Sequence, residues 1–489
     1  MMKSLFQQAG FALATLSALP AAAQSPIAVN PAVIGLPGQS APAGDDLIEI
    51  RGAAGKRVVP ASFMRQRPLP VSRFRVLGSS MASGVSNVTF HMLVRAPAEY
   101  DAIQLVMSAT SNDSTNAVKF TVAAPDAVGD SVNPTVGGSA VTPTTVTWGT
   151  TSPRNPRNPG GGAATVLQSG FSGTAPNTIE GVTYSDIIPL ASVARTDQPG
   201  VPPLLMVREF AAANAPISTQ LNNLKVGFAN PGQALLPDAM CGYISGDVAS
   251  TASGVAAPLV GAQGFCPGVE VIYYLRGQRI YTIASAGDSL DQGFCGSTAV
   301  NCSPGTIGGM TRSLAAQMTA AGNPTGFAAW HMAGQVSGNF NERALNGLML
   351  GDCAVGVTHL FFKPWSVNEG SGTSTIAGDL RRADHILDWA YKCGITPILV
   401  YPRAGEGMGT APNVQAVAYI DAAKARGVPT FDGRAIVGAG GSITTNTIRP
   451  EYLSLASDGS VVDTVHLNGA GQAALAALAY AQRAAFNLP

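Results

Sequence analysis

Charge is scarce in this sequence. Asp, Glu, Lys and Arg make up 12% of its 489 residues, and 29 basic side chains balance 29 acidic ones. A typical globular chain carries about a quarter charged residues. Nothing here supplies the basic face that nucleic acid or an anionic membrane surface requires, so neither is expected as a partner. Beyond the N-terminal segment no run of about 18 apolar residues occurs, which excludes a later spanning helix. Cys-x-x-Cys is absent, and His91, His331, His359, His385 and His466 show no zinc-like spacing. No metal and no cofactor is expected.

What is present begins with Met1-Met-Lys3, an apolar run from Phe11 to Pro20, and Ala21-Ala-Ala23-Gln24. These are the three parts of a secretory signal peptide over residues 1–23, too short in its apolar part to span a bilayer. The expected location is secreted or periplasmic. Six cysteines in an exported chain favour disulfides over metal. Nearness in sequence pairs Cys241 with Cys266, Cys295 with Cys302 and Cys353 with Cys393.

Residues 24–60 are rich in Pro, Ala and Gly with little periodicity, and read as a linker. From about residue 61 to 277 the chain holds short β-branched and aromatic runs, Val71–Leu77, Val88–Arg95, Ala102–Ser108, Val118–Val122, Val182–Leu190, Pro203–Arg208, Leu224–Phe228 and Val269–Leu275, separated by turn-forming clusters. Many short strands without helical periodicity predict an all-β sandwich of jelly-roll-like type. Pro153 to Gly162 repeats Arg-Asn-Pro and reads as an exposed loop, because each proline removes a ladder donor.

The texture changes again near Gly277. Extended and helical runs alternate over 278–489: Ile280–Ala284, Gly326–Met332, Val357–Lys363, Ile395–Tyr401 and Pro429–Phe431 extended; Thr306–Ala320, Asn339–Leu350, Ile376–Tyr391, Val414–Arg426 and Gly471–Ala485 helical. That alternation predicts an α/β domain with a parallel sheet wrapped by helices.

Gly287-Asp288-Ser289-Leu290 ends the first of these extended runs, which puts Ser289 at a strand's carboxyl end, where open α/β sheets carry their sites. A serine nucleophile needs a base, a group that orients the base and donors for the oxyanion. Asp463-Thr-Val-His466 places a carboxylate three residues before a histidine. A turn there would bring Asp463 onto His466 Nδ1–H and leave Nε2 for a hydroxyl. Asp458, eight residues away, is the weaker orienter.

Together these blocks resemble those of the SGNH, or GDSL-type, hydrolase family. Gly287-Asp-Ser-Leu290 matches its first block and Asp463-x-x-His466 its last, 177 residues apart. The second block is matched by Gly338, with Gly334 as a shifted alternative. Ser366-Val-Asn368-Glu369 matches the third, usually Gly-x-Asn-Asp, with Ser in place of Gly and Glu in place of Asp. The resemblance covers the second half only. It implies a flavodoxin-like, three-layer αβα domain and a serine esterase with Ser289, His466 and Asp463 catalytic. Ser289 N–H, Gly338 N–H and the Asn368 amide would form the oxyanion hole. Sandwich domains ahead of such domains suggest an acetylated polysaccharide as substrate, and Trp365, three residues before Asn368, is read either as a sugar-stacking ring at the rim or as a packed side chain. The alternatives are a lipolytic or aryl esterase or thioesterase, or a binding protein with a degenerate SGNH half.

Overall fold

The computed structural model describes residues 28–29, 47–52, 55–60, 71–74, 79–81, 86–108, 117–125, 133–147, 167–168, 182–193, 204–213, 216–219, 239–255, 265–275, 280–295, 299–302, 309–331, 334, 336–337, 341, 355–369 and 376–489. The signal peptide, the Arg-Asn-Pro loop, Leu224–Phe228 and, apart from residue 341, the helix expected over 339–350 lie outside the described residues. The stretch read as a linker contains two strands joined as a hairpin, Leu47–Gly52 and Gly55–Pro60, with Ala28–Val29 beside the first. These three belong to a small unit of their own.

From Leu69 onward the β-branched runs become strands: β1 (Val71–Phe74), β2 (Ser86–Arg95), β3 (Tyr100–Ser108), β4 (Ala117–Ala123), β5 (Val182–Tyr184), β6 (Leu204–Ala213), β7 (Ala239–Ser245) and β8 (Val269–Leu275). After them come β9 (Tyr281–Gly287), β10 (Thr325–His331), β11 (His359–Phe362), β12 (Thr396–Val400) and β13 (Thr430–Phe431). A hairpin, β14 (Leu453–Leu455) and β15 (Val461–Leu467), follows.

One antiparallel sheet runs β4-β6-β2-β7, with the short pieces Thr144–Thr145 and Leu167–Gln168 against β4. A second sheet is continuous in the order β5-β3-β8-β1-β10-β9-β11-β12-β13. Its first part is antiparallel and faces the β4-β6-β2-β7 sheet across a core that includes Leu93, Phe120, Leu205, Ile103 and Tyr273. Its second part, β10 to β13, is parallel. Residue 277, where the sequence changes texture, therefore falls between an antiparallel strand and a parallel strand of one sheet.

The seam is β1, antiparallel to β8 and parallel to β10. Gly326 on β10 makes it possible. A Cβ there would collide with Ser72 Oγ and the Arg73 carbonyl. In the space left by hydrogen, Ser72 Oγ meets Thr282 Oγ1 at 2.8 Å. Below it Arg73 pairs with Glu270 at 2.8 Å, and Glu270 accepts from Trp330 Nε1 at 3.1 Å, all of them buried.

The parallel strands are buried on both faces, as near-continuous apolar runs require. Helices α1 (Ser289–Gln292), α2 (Gly309–Ala320), α3 (Ile376–Lys392), α4 (Ala411–Ala425) and α5 (Gly469–Ala481) supply the covers. One face buries Ile283, Phe327, Phe361 and Ile398 under α2 and α5. The other buries Ala284, Ala328, Leu360 and Leu399 under α3 and α4. In α3 the buried set Asp379, Ala383, Ile386, Leu387 and Ala390 follows the i, i+3/i+4 stripe. The result is an α/β arrangement of three layers with β9 central, flanked by β10 and β11.

Candidate active site

Ser289 follows β9 at the carboxyl end of the parallel strands. Since β10 and β11 lie on opposite sides of β9, this is the point where the strand order reverses, the usual position of a site in open α/β sheets. The turn is sharply determined. Asp288 caps α1, its Oδ1 accepting from Leu290 N–H at 2.9 Å, and Gly293 ends the helix with φ 80°. Gly287 must be glycine, because a Cβ would collide with the Asp291 carboxylate. As the first helical residue, Ser289 has an N–H with no partner inside the helix.

His466 and Asp463 arrive on β15. The hairpin turns at Gly459, φ 82°, where Asp458 accepts from Ser460 N–H (2.9 Å) and Ser460 Oγ–H (2.6 Å). Asp458 therefore shapes the turn, while Asp463 orients the histidine. Asp463 Oδ1 accepts from the N–H groups of Val465 (2.7 Å) and His466 (2.9 Å), and Oδ2 lies 2.7 Å from His466 Nδ1. A carboxylate can only accept, so Nδ1 carries the proton and Nε2 accepts from Ser289 Oγ–H at 2.8 Å. Burial pushes the Asp463 carboxyl up, but the bonds from the His466 ring, the His466 amide and the Val465 amide outweigh it and hold the group below its usual range. Just after β15, Asn468 caps α5 through Gly471 N–H (3.0 Å).

The rim is tied to this hairpin. The Phe294 ring stands edge-on to His466 with centroids 4.6 Å apart. Cys295 and Cys302 are bonded to each other, and so are Cys241 and Cys266. Cys393 is also disulfide-bonded; Cys353, its expected partner, lies outside the described residues. Within the Cys295–Cys302 loop, Val300 N–H donates to Leu455 O (2.8 Å), and Asn301 exchanges two bonds with the backbone of Leu453 and Leu455.

Beneath Ser289 lies a buried cluster of five charges, of which only Asp288 falls within a motif of the sequence. Lys363 Nζ is 3.1 Å from Asp288 Oδ2, 3.1 Å from Asp291 Oδ2 and 3.3 Å from Glu406 Oε2. Arg403 bridges Asp291 (3.3 Å) and Glu406 (3.0 Å). Burial would lift the Asp288 carboxyl, yet the Lys363 ammonium, the Ser366 hydroxyl and the Leu290 amide hold it below its ordinary value. The three carboxylates are thus filled by two protein cations, and among the described residues no group of three or more His, Cys, Asp or Glu is arranged to hold a metal ion. A lysine and an arginine read from sequence as surface residues; only their place at the ends of β11 and β12 hints otherwise.

Of the oxyanion candidates, Asn368 sits in a 3-10 turn, Val367–Glu369, its N–H donating to Ser366 Oγ at 3.1 Å. Gly338 lies outside the described residues. Gly334 is described, with φ 71° and open space where a Cβ would stand. Trp365 is 9% exposed, so its ring is packed inside and offers no open face for a sugar.

No family model and no curated protein matches the sequence. Among solved structures, the chain is similar to a lipase/acylhydrolase from Enterococcus faecalis, at 15% identity and TM-score 0.30 over 43% of this chain and 97% of that one. It is similar also to a psychrotrophic esterase from Pseudoalteromonas sp., at 14% and 0.30 over 42% and 96%. A member of the lipolytic protein G-D-S-L family from Veillonella parvula matches at 14% and 0.28 over 41% and 96%.

Proposed function

We propose that the chain is an exported serine esterase of the SGNH type. Ser289 is the nucleophile, His466 the general base and acid, and Asp463 the group that orients it. One observation carries this reading: two consecutive hydrogen bonds, 2.8 and 2.7 Å, link Ser289 Oγ through the His466 ring to the Asp463 carboxylate.

In the proposed reaction Ser289 Oγ attacks the ester carbonyl carbon while its proton passes to His466 Nε2. The carbonyl π pair moves onto oxygen, and the oxyanion is met by the Ser289 N–H, the Gly338 N–H and the Asn368 amide. The C–O bond to the alcohol then breaks, and His466 returns its proton to the leaving oxygen. Water attacks the acyl-enzyme by the same route, releasing the acid and restoring Ser289.

The favoured substrate is an O-acetylated carbohydrate. The low charge of the chain suits a neutral polymer, and the facing antiparallel sheets, read as a jelly-roll-like sandwich, would present it. Disulfides support export, since they persist in oxidising compartments. A second reading is a lipolytic or aryl esterase or thioesterase, for which the weakly charged chain is equally suitable.

A fluorophosphonate probe tests the activity. Wild type should be labelled at Ser289, and Ser289→Ala should lose both labelling and ester turnover. Turnover unchanged in Ser289→Ala would sink the proposal, and an unlabelled, folded wild type would favour a binding protein. Acetate release from acetylated oligosaccharides, compared with hydrolysis of esters of rising chain length, separates the two substrates.

A further inference from the structure

The third block departs from the family pattern at two positions, Ser366 and Glu369, and both side chains reach out of their own turn. The Ser366 hydroxyl donates to Asp288 Oδ2 at 2.6 Å while its oxygen accepts from Asn368 N–H at 3.1 Å. One atom thus spans the Ser289 turn and the Asn368 turn. Glu369 Oε1 accepts from the N–H of Ser337, the residue immediately before Gly338. Glu369 N–H in turn donates to Ser366 O at 3.2 Å, closing the turn between the two. Ser337 and Ser366 are fully buried and Glu369 is 5% exposed. Water therefore competes little for these bonds.

We propose that Ser366 and Glu369 are positioning residues that lace the Asn368 turn to the Ser289 turn on one side and to the Ser337 amide on the other, setting the spacing of the Ser289 and Asn368 oxyanion donors. The proposal rests on the serine-esterase reading above. A glycine at 366 has no hydroxyl with which to reach Asp288, and an aspartate at 369 is one methylene shorter than the span to Ser337. The two departures act from one turn: together they tie the segment after β11 to the Ser289 turn after β9 and to Ser337. Oxyanion donors act only when fixed where the charge will develop, and deletion of one outright costs about 10²–10³ in kcat. Loosening the frame that fixes them should cost less and should act on kcat, because the ground-state carbonyl demands less of their placement.

The test is steady-state ester hydrolysis by full-length protein, with a thermal melt of each variant. Ser366→Ala should lower kcat roughly ten- to hundredfold with KM within about twofold, the pattern of an interaction realised in the transition state. Ser366→Cys, nearly the same size but a weak donor, should fall between Ala and wild type. Glu369→Gln keeps an acceptor for Ser337 N–H and should stay near wild type, whereas Glu369→Leu should lose kcat as Ser366→Ala does. Where Ala or Leu fails to melt cooperatively, the Cys and Gln variants decide by the same ordering. Wild-type kcat in folded Ser366→Ala or Glu369→Leu overturns the proposal, as does a loss confined to KM or an equal loss in Glu369→Gln and Glu369→Leu. A wild type that turns over no ester and takes no fluorophosphonate overturns the underlying esterase reading instead.

Discussion

At the scale of single residues, Asp463 is the most economical part of the site, since three groups within three positions, two amides and an imidazole, converge on its carboxylate. Replacing it with Asn keeps the shape but allows the amide to accept or donate, so the histidine tautomer is no longer imposed. Asp463→Asn should cut kcat by roughly 10⁴-fold, the scale known for such a change in serine proteases, with KM little altered. The same carboxyl yields a pH prediction. Its folded value is depressed below the ordinary 3.8, so its contribution to stability is complete above that value and is lost as pH falls through the lower folded one. Urea midpoints taken from pH 5 down to pH 2 should therefore drop more steeply in wild type than in Asp463→Asn; parallel curves would contradict the linkage. The meeting of Ser289, Asp463 and His466 was legible because hydrolytic chemistry restricts residue types and the i, i+3 spacing is local. Lys363, Arg403 and Glu406 were not legible. Each becomes a partner only when β9, β11 and β12 are brought side by side, and that adjacency is invisible to spacing.

At the scale of elements, the parallel strands and the helices α2 to α5 lie where apolar periodicity placed them, within a few residues at their ends. The β14–β15 hairpin went unread, because its turn is a polar Asp458-Gly-Ser460 run and its second strand carries the exposed Val461 and Val462 beside charged and polar residues. Seen in the fold, β15 is half-buried by design: its outer end faces solvent and its inner end delivers His466. The ends of β9, β11 and β12 are bound by Lys363, and this element-level joint makes its own prediction. Lys363→Met removes one cation from between three buried carboxylates, leaving Arg403 alone to compensate them. Breaking a buried pair in this way costs about 3–5 kcal/mol. Lys363→Met should therefore lower the unfolding free energy by about that amount in chemical denaturation. A loss below about 1 kcal/mol, the value of an exposed pair, would mean that the cluster is solvated in solution.

At the scale of the whole molecule, the deciding feature is that the antiparallel and parallel parts share one sheet through β1. Sequence texture changes near residue 277, between β8 and β9, but texture carries no information on which strand of the first half lies beside which of the second. That is set by three local fits: the missing Cβ of Gly326, the Ser72–Thr282 hydroxyl contact across it, and the Arg73–Glu270–Trp330 chain. Severed at residue 277, a fragment of residues 278–489 would keep Ser289, His466 and Asp463 but lose β1 and Glu270. The edge of β10 would stand open, and Trp330 Nε1 would lose its acceptor on Glu270. The expected outcome is a fragment that expresses in aggregated form or melts without cooperativity. Gly326→Ala in the full chain should move partway in the same direction by forcing β1 away from β10. A fragment that melts cooperatively near the full-length midpoint and is labelled by fluorophosphonate would show instead that the α/β part folds on its own, with the antiparallel sheets as an appended module. The seam then would not be needed for folding, and the loss from Gly326→Ala should be confined to the antiparallel part.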